Sequence, residues 1–262
     1  MHSEGAPRGQ TRRAQLREYL GVRRPPCWWQ EVLFVLASYW VYSAIRNGVP
    51  THEQLALARA RELDRFQHVL GIAVERSVNH AVAAVDWLAQ VSNYWYATAH
   101  FIVTIGVLVW VYRRHPLQYR SLRSGLYVAN IVALFGYWLY PLAPPRMLPG
   151  YVDTVVAFHT WGSWGSSGVA SHSNQFAAMP SMHVAWSVWC AIALAGLAAR
   201  QWVRLLGLAY PIVTLFVIVA TANHFVLDAV GGVAALALGF AVQRVASGLP
   251  AIDPALRVPA PA

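Results

Sequence analysis

Phe176-Ala177-Ala178-Met179-Pro180-Ser181-Met182-His183-Val184-Ala185-Trp186-Ser187 is the stretch on which the fold turns. At Pro180 it passes from a polar, Gly- and Ser-rich loop into an apolar run that continues to Ala199. Proline is accommodated in the first turn of a helix, where its missing N–H has no intrahelical partner to lose. The stretch therefore predicts a helix start at Pro180, with Ser181 and His183 among the unpaired backbone N–H groups of its first turn. Such a terminus attracts anions, and phosphate is the obvious one. A titratable histidine at the mouth of an apolar helix suggests chemistry more than packing.

The chain around this stretch has the composition of a membrane protein. Of 262 residues, 57% are hydrophobic and only 12% charged, with 12 Trp; a soluble domain carries about 25% charged residues. The net charge of +9 is carried by arginine alone, since there is no Lys. Those arginines gather at the ends of apolar segments and form no continuous basic stripe, which argues against a nucleic-acid partner. Cys27 and Cys190 offer no disulfide framework. Thr11-Arg12-Arg13 is a weak twin-arginine look-alike, but the apolar run begins well downstream and no Ala-x-Ala site follows it. The expectation is an uncleaved first membrane helix.

Apolar segments occur at about 31–48, 94–112, 126–142, 182–199, 205–222 and 225–243. Each approaches the roughly 17–25 residues needed to span a bilayer. The predicted fold is all-α, a polytopic membrane bundle of about six transmembrane helices. It comprises a basic cytoplasmic arm (1–30), a membrane domain (31–245) and a Pro-rich cytoplasmic tail (246–262). With the N-terminus inside, cytoplasmic segments hold 14 of the 20 arginines, so the positive-inside rule places both termini in the cytoplasm, as expected for a bacterial plasma-membrane protein. In the long segment 49–93, Leu63, Phe66, Leu70 and Ala73 recur at helical spacing. They predict an amphipathic helix, lying in the outer interface or packed on the bundle. The loop 149–180 is long enough to act as a lid, and its Trp161-Gly162-Ser163-Trp164 would serve equally as an interfacial anchor.

Three features converge on one membrane surface under this topology: Pro144-Pro145-Arg146, Pro180-Ser181-Met182-His183 and Asn223-His224-Phe225-Val226-Leu227-Asp228. His224 and Asp228 are four apart and share a face if both are helical. A carboxylate in an apolar segment needs a partner. If Asp228 accepts from one ring nitrogen of His224, the other becomes a directed lone pair, as a nucleophile or base requires. The bland alternative is a structural pair sealing a helix end. His183, near a positive helix end, suits a general acid. Arg146 after two prolines would fork onto phosphate oxygens, or else snorkel to the interface.

Pro180-Ser181-Met182-His183 followed by His224-x-x-x-Asp228 resembles the second and third signature blocks of the type 2 phosphatidic acid phosphatase (PAP2) superfamily. Tyr140-Pro-Leu-Ala-Pro-Pro-Arg146 and Asn93-Tyr94-x-Tyr96-x-x-x-His100 are similar to the bacterial branch related to inositol phosphorylceramide and sphingomyelin synthases. The resemblance covers roughly residues 55–240. It implies a lipid phosphatase or phosphotransferase working through a phosphohistidine, with His224 as nucleophile, Asp228 orienting it and His183 as acid and then base. Arg146 and Ser181 would bind the phosphate, and Tyr96 and His100 would line the substrate pocket. The resemblance implies no metal and no cofactor, with a lipid phosphate as substrate and membrane lipids as surroundings.

Departures from the pattern are visible. The usual first block, a Lys with Arg-Pro seven and eight residues on, is absent. Ile218 stands where the third block has an Arg, and Met182 replaces a Gly. These changes tilt the reading toward the synthase-like branch. Two other classes use the same residues: a metal-dependent hydrolase liganded by His183, His224 and Asp228, and a non-catalytic lipid-binding protein.

Overall fold

The computed structural model describes residues 26–48, 52–160 and 174–253. They form α1 (Trp28–Gly48), α2 (Glu53–Val69), α3 (Glu75–Ala83), α4 (Asp86–Arg114), α5 (Pro116–Leu139), a 3-10 turn (Pro145–Met147), α6 (Thr154–Ala157), α7 (Met182–Leu197), α8 (Gln201–Ala220) and α9 (Val226–Ser247). Among the described residues there is no strand, only an isolated bridge between Leu142 and Ala177. The Trp161–Trp164 pair, most of the basic arm and most of the tail lie outside the described residues.

All six apolar segments fall on helices. Three helices are long and apolar enough to cross a membrane: α4, α8 and α9. The other three fall short of the expected six for separate reasons. α5 carries Arg120 and Arg123 in its first turns, α7 has only 16 residues, and α1, rich in Trp and Tyr, qualifies only together with α2.

Close backbone approach holds the centre of the bundle together, as is usual where lipid removes the hydrophobic drive between helices. A Cβ on Gly239 of α9 would come within 2.5 Å of the Gly125 carbonyl of α5. Between α5 and α7, the fully buried Trp189 donates its indole N–H to the Leu122 carbonyl at 2.9 Å. Away from the site, Glu31 of α1 accepts from Tyr119 Oη (2.8 Å) and from Arg123, so this buried carboxylate is paired. Gln118 exchanges two hydrogen bonds with Asp253 at the same end.

Segment 49–93 differs from the expected single amphipathic helix. α2 stops at Val69, leaving Leu70 and Ala73 beyond it, and Phe66 is exposed. The buried stripe is Ala56, Ala60, Leu63 and Gln67, packed with Leu142, Leu148 and Phe225. Small residues win that face because α2 lies close enough for the Ala56 carbonyl to accept from Ala143 N–H. This face of α2 packs on the bundle. The loop from 149 carries α6, whose first N–H groups, Val155 and Val156, are capped by Asp153 Oδ1 at 3.1 Å.

Candidate active site

The chain enters the site from α8. That helix ends in a Schellman turn: the Asn223 N–H reaches the Ile218 carbonyl at 3.0 Å and the Ala222 N–H reaches the Val219 carbonyl at 3.0 Å. Ala222 takes the left-handed position that closes such a turn, with φ 49°. His224 follows immediately, its own N–H on the Ile218 carbonyl at 3.2 Å. His224 thus lies before α9 and not on it, because that helix begins at Val226. The expected pairing with Asp228 forms all the same. Asp228 turns back to the helix start, where its Oδ2 accepts from the Phe225 N–H at 2.9 Å and faces His224 Nδ1 at 3.3 Å.

Both residues are buried, and His224 Nε2 and Asp228 Oδ1 have no hydrogen-bond partner. With Nδ1–H donating to Asp228, Nε2 carries the lone pair.

Two residues that the sequence reading missed complete this helix start. Glu75 Oε1 accepts from the Val226 N–H at 2.7 Å, and Gln67 Oε1 accepts from the Leu227 N–H at 3.0 Å. Gln67 Nε2 also donates to Glu75 Oε1 at 2.8 Å. The first N–H groups of a helix need acceptors from outside it, and here α2 and α3 supply them from well over a hundred residues away. The signal available was Glu75 itself, an acidic residue for which the sequence offers no local partner.

The start of α7 is built differently. Ser181 is the N-cap, Met182 opens the helix, and Pro180 stands outside it, contrary to the expected start at Pro180. The Pro180 carbonyl instead accepts from Tyr137 Oη at 3.1 Å. The Ser181 side chain makes no cap hydrogen bond, and its buried Oγ has no partner. The Ser181 N–H donates to the Asp228 carbonyl at 2.9 Å, which ties the two helix starts together. Gly232 permits that approach, since a Cβ there would sit 2.2 Å from the Ser181 carbonyl oxygen. His183, in the first turn of α7, lies with its ring centroid 5.5 Å from that of His224.

Around His183 the expected pocket residues come together. Tyr96 stacks on it at 4.2 Å, His100 meets it edge-on at 4.3 Å, and His100 Nδ1 is 3.1 Å from the Tyr96 carbonyl. Tyr96, His100 and His183 line a narrow gap with Trp95, Tyr210 and Ile218. Asn93, in the same stretch as Tyr96, holds Thr154 and Thr160 through three hydrogen bonds of 2.7–2.9 Å.

Arg146 ties the first block to the third. Its N–H donates to the Ala222 carbonyl at 2.8 Å, and its guanidinium reaches Asn223 Oδ1 (2.7 Å), Gln175 Oε1 (3.2 Å) and Asp153 Oδ2 (3.3 Å). On the outer flank Tyr151 donates to Asp64 Oδ1 at 3.0 Å; burial and that carboxylate push its phenol above the usual tyrosine range. Ile218 is fully buried among Val184, Val219 and Ala229, which leaves no space for an arginine side chain there. Among the described residues no group of three or more His, Cys, Asp or Glu side chains is arranged to hold a metal ion.

A family model of the PAP2 superfamily matches residues 61–242, and the chain belongs to that superfamily. Comparison with curated proteins and with solved structures gives no match. Membership suggests a phosphatase-type activity on a lipid phosphate.

Proposed function

We propose that the chain is an integral membrane enzyme that hydrolyses or transfers a phosphoryl group of a lipid phosphate, pyrophosphate or phosphodiester. The observation carrying this reading is His224: buried, oriented by Asp228 through Nδ1, with Nε2 unpartnered and His183 opposite. Nε2 attacks phosphorus as the bond to the lipid oxygen breaks, and His183 gives its proton to that leaving oxygen. The phosphohistidine is then attacked by water or an alcohol whose proton returns to His183, and the P–N bond breaks to restore His224. Ser181 Oγ, the first N–H groups of α7 and Arg146 stabilise the phosphoryl oxygens. No metal or cofactor enters this scheme.

Six helices cross the membrane in this reading, with α1, α5 and α7 joining the three that qualify by length and composition. The arginine distribution puts both termini in the cytoplasm and the site on the extracytoplasmic face of a plasma membrane. The missing first block and the buried Ile218 favour the branch related to inositol phosphorylceramide and sphingomyelin synthases, hence an alcohol as acceptor.

The test is a product assay on protein in nanodiscs, offering lipid phosphates, pyrophosphates and phosphodiesters with and without chelator, beside His224→Ala. Chelator-resistant phosphate release that vanishes in the variant supports hydrolysis. A new phospholipid without free phosphate supports transfer. Chelator-sensitive turnover overturns the metal-free mechanism, and no turnover on any substrate overturns the activity.

A further inference from the structure

Cations are scarce around the two histidines. Arg146 directs all three guanidinium nitrogens at Asn223, Gln175 and Asp153, and the Asp153 carboxylate offsets its charge. Position 218 is apolar and buried. A second arginine reaches the same end of the bundle from α1.

Arg46 lies one turn beyond Tyr42, on the same helix face. Tyr42 Oη donates to Tyr137 Oη at 3.4 Å, and Tyr137 Oη donates to the Pro180 carbonyl at 3.1 Å, so this face of α1 is linked through Tyr137 to the residue before Ser181. Asn174 pins the end of the helix. Its Nδ2 donates to the Arg46 carbonyl at 3.1 Å, its N–H to Asn47 Oδ1 at 3.4 Å, and Arg46 Nη2 donates to the Asn174 carbonyl at 3.3 Å. Gln175, the residue after Asn174, accepts from Arg146 Nη2 at 3.2 Å, so Arg46 and Arg146 meet adjacent residues of one segment. Among the described residues Arg46 has no carboxylate within ion-pairing distance. Half-buried at the C-terminal end of α1, its guanidinium keeps further N–H donors for an anion.

We infer that Arg46 is a phosphate-binding residue of the site, delivered by α1 from outside the residues 61–242 that define the family match. It supplies charge that the absent first block and Ile218 do not. This assignment rests on the reading of a phosphate-ester site given above.

Inorganic phosphate binding to the full chain in nanodiscs, followed by calorimetry, tests it without requiring turnover. Arg46→Gln should raise the phosphate Kd by about 10–100-fold, the range of a lost charge-assisted hydrogen bond, while Arg46→Lys keeps part of the affinity. To separate charge from folding, Arg46→Cys in a Cys27→Ser background is modified after purification with a neutral methyl or a cationic aminoethyl methanethiosulfonate. Restored binding with the cationic adduct alone supports the assignment. Equal binding by both adducts, or a wild-type Kd in Arg46→Gln, overturns it. A lipid assay distinguishes the two levels. Arg46-dependent phosphate binding without turnover sinks the proposed activity and leaves the assignment standing, whereas turnover by Arg46→Gln with the wild-type KM does the reverse.

Discussion

The starts of α7 and α9 touch, yet they treat their free N–H groups in opposite ways. At α9 three side chains from three helices fill the acceptor positions: Asp228 for Phe225, Glu75 for Val226 and Gln67 for Leu227. At α7 no side chain caps the helix, and Ser181 Oγ is buried without a partner. A helix N-terminus attracts anions, but one already occupied by two carboxylates repels a phosphate. The filled start is therefore the one that fixes His224, and the open start is the one suited to receive the substrate's oxygens. Adjacent and chemically alike as backbone, the two differ in Asp228, which α9 carries itself, and in the Glu75 and Gln67 that the bundle brings to it.

Substitutions on each side should break this division of labour to different degrees. The largest effect belongs to His224→Gln, which should lower turnover by about 10⁴-fold or more while the protein melts as wild type. His183→Ala should cost about 10²–10⁴-fold. That deficit should shrink on an aryl phosphate, whose leaving group needs no proton, and an equal deficit on both substrates would remove His183 from the acid role.

Gly232→Ala strikes the junction between the two starts. Its Cβ would meet the Ser181 carbonyl at 2.2 Å, so activity and stability should fall together, the latter by an overpacking cost of about 1–3 kcal/mol in denaturant melts. Glu75→Ala leaves the Val226 N–H and Gln67 Nε2 without their acceptor, at about 1–3 kcal/mol in stability measured by denaturant melts. Glu75→Gln retains an acceptor oxygen and should lose less; equal losses would show that the α9 start does not depend on that hydrogen bond. The smallest effect is Ser181→Ala, about tenfold in kcat/KM with unchanged stability. Wild-type kinetics in that variant would mean that backbone N–H groups alone serve the phosphate.

Much of the site was legible in the chain. His183, His224, Asp228, Ser181 and Arg146 were marked by residue type at helix mouths, and Tyr96 and His100 by their motif; the structure gathers all seven at one end of the bundle. Details set by local geometry were read less well. His224 stands before α9, whose first N–H groups are taken by Glu75 and Gln67, and Pro180 stands outside α7, where the Ser181 N–H is drawn to the Asp228 carbonyl. The stripe of α2 was misread for a related reason. Large apolar side chains mark a face that meets lipid or solvent as readily as one that meets protein, whereas the true contact face is small, at Ala56 and Ala60.

The sequence by itself determined the apolar helices, the ends at which polar chemistry collects, and the His224–Asp228 partnership. These rest on composition, spacing and the cost of an unpaired carboxylate in an apolar segment, all of which act along the chain. Only the tertiary structure decided which helix start would be filled and which left open, and which cations would face the site. Glu75 and Gln67 are separated from α9 by well over a hundred residues, and Arg46 comes from the opposite end of the chain. Such acceptors and charges leave no periodicity in the sequence, because their partners are chosen by packing.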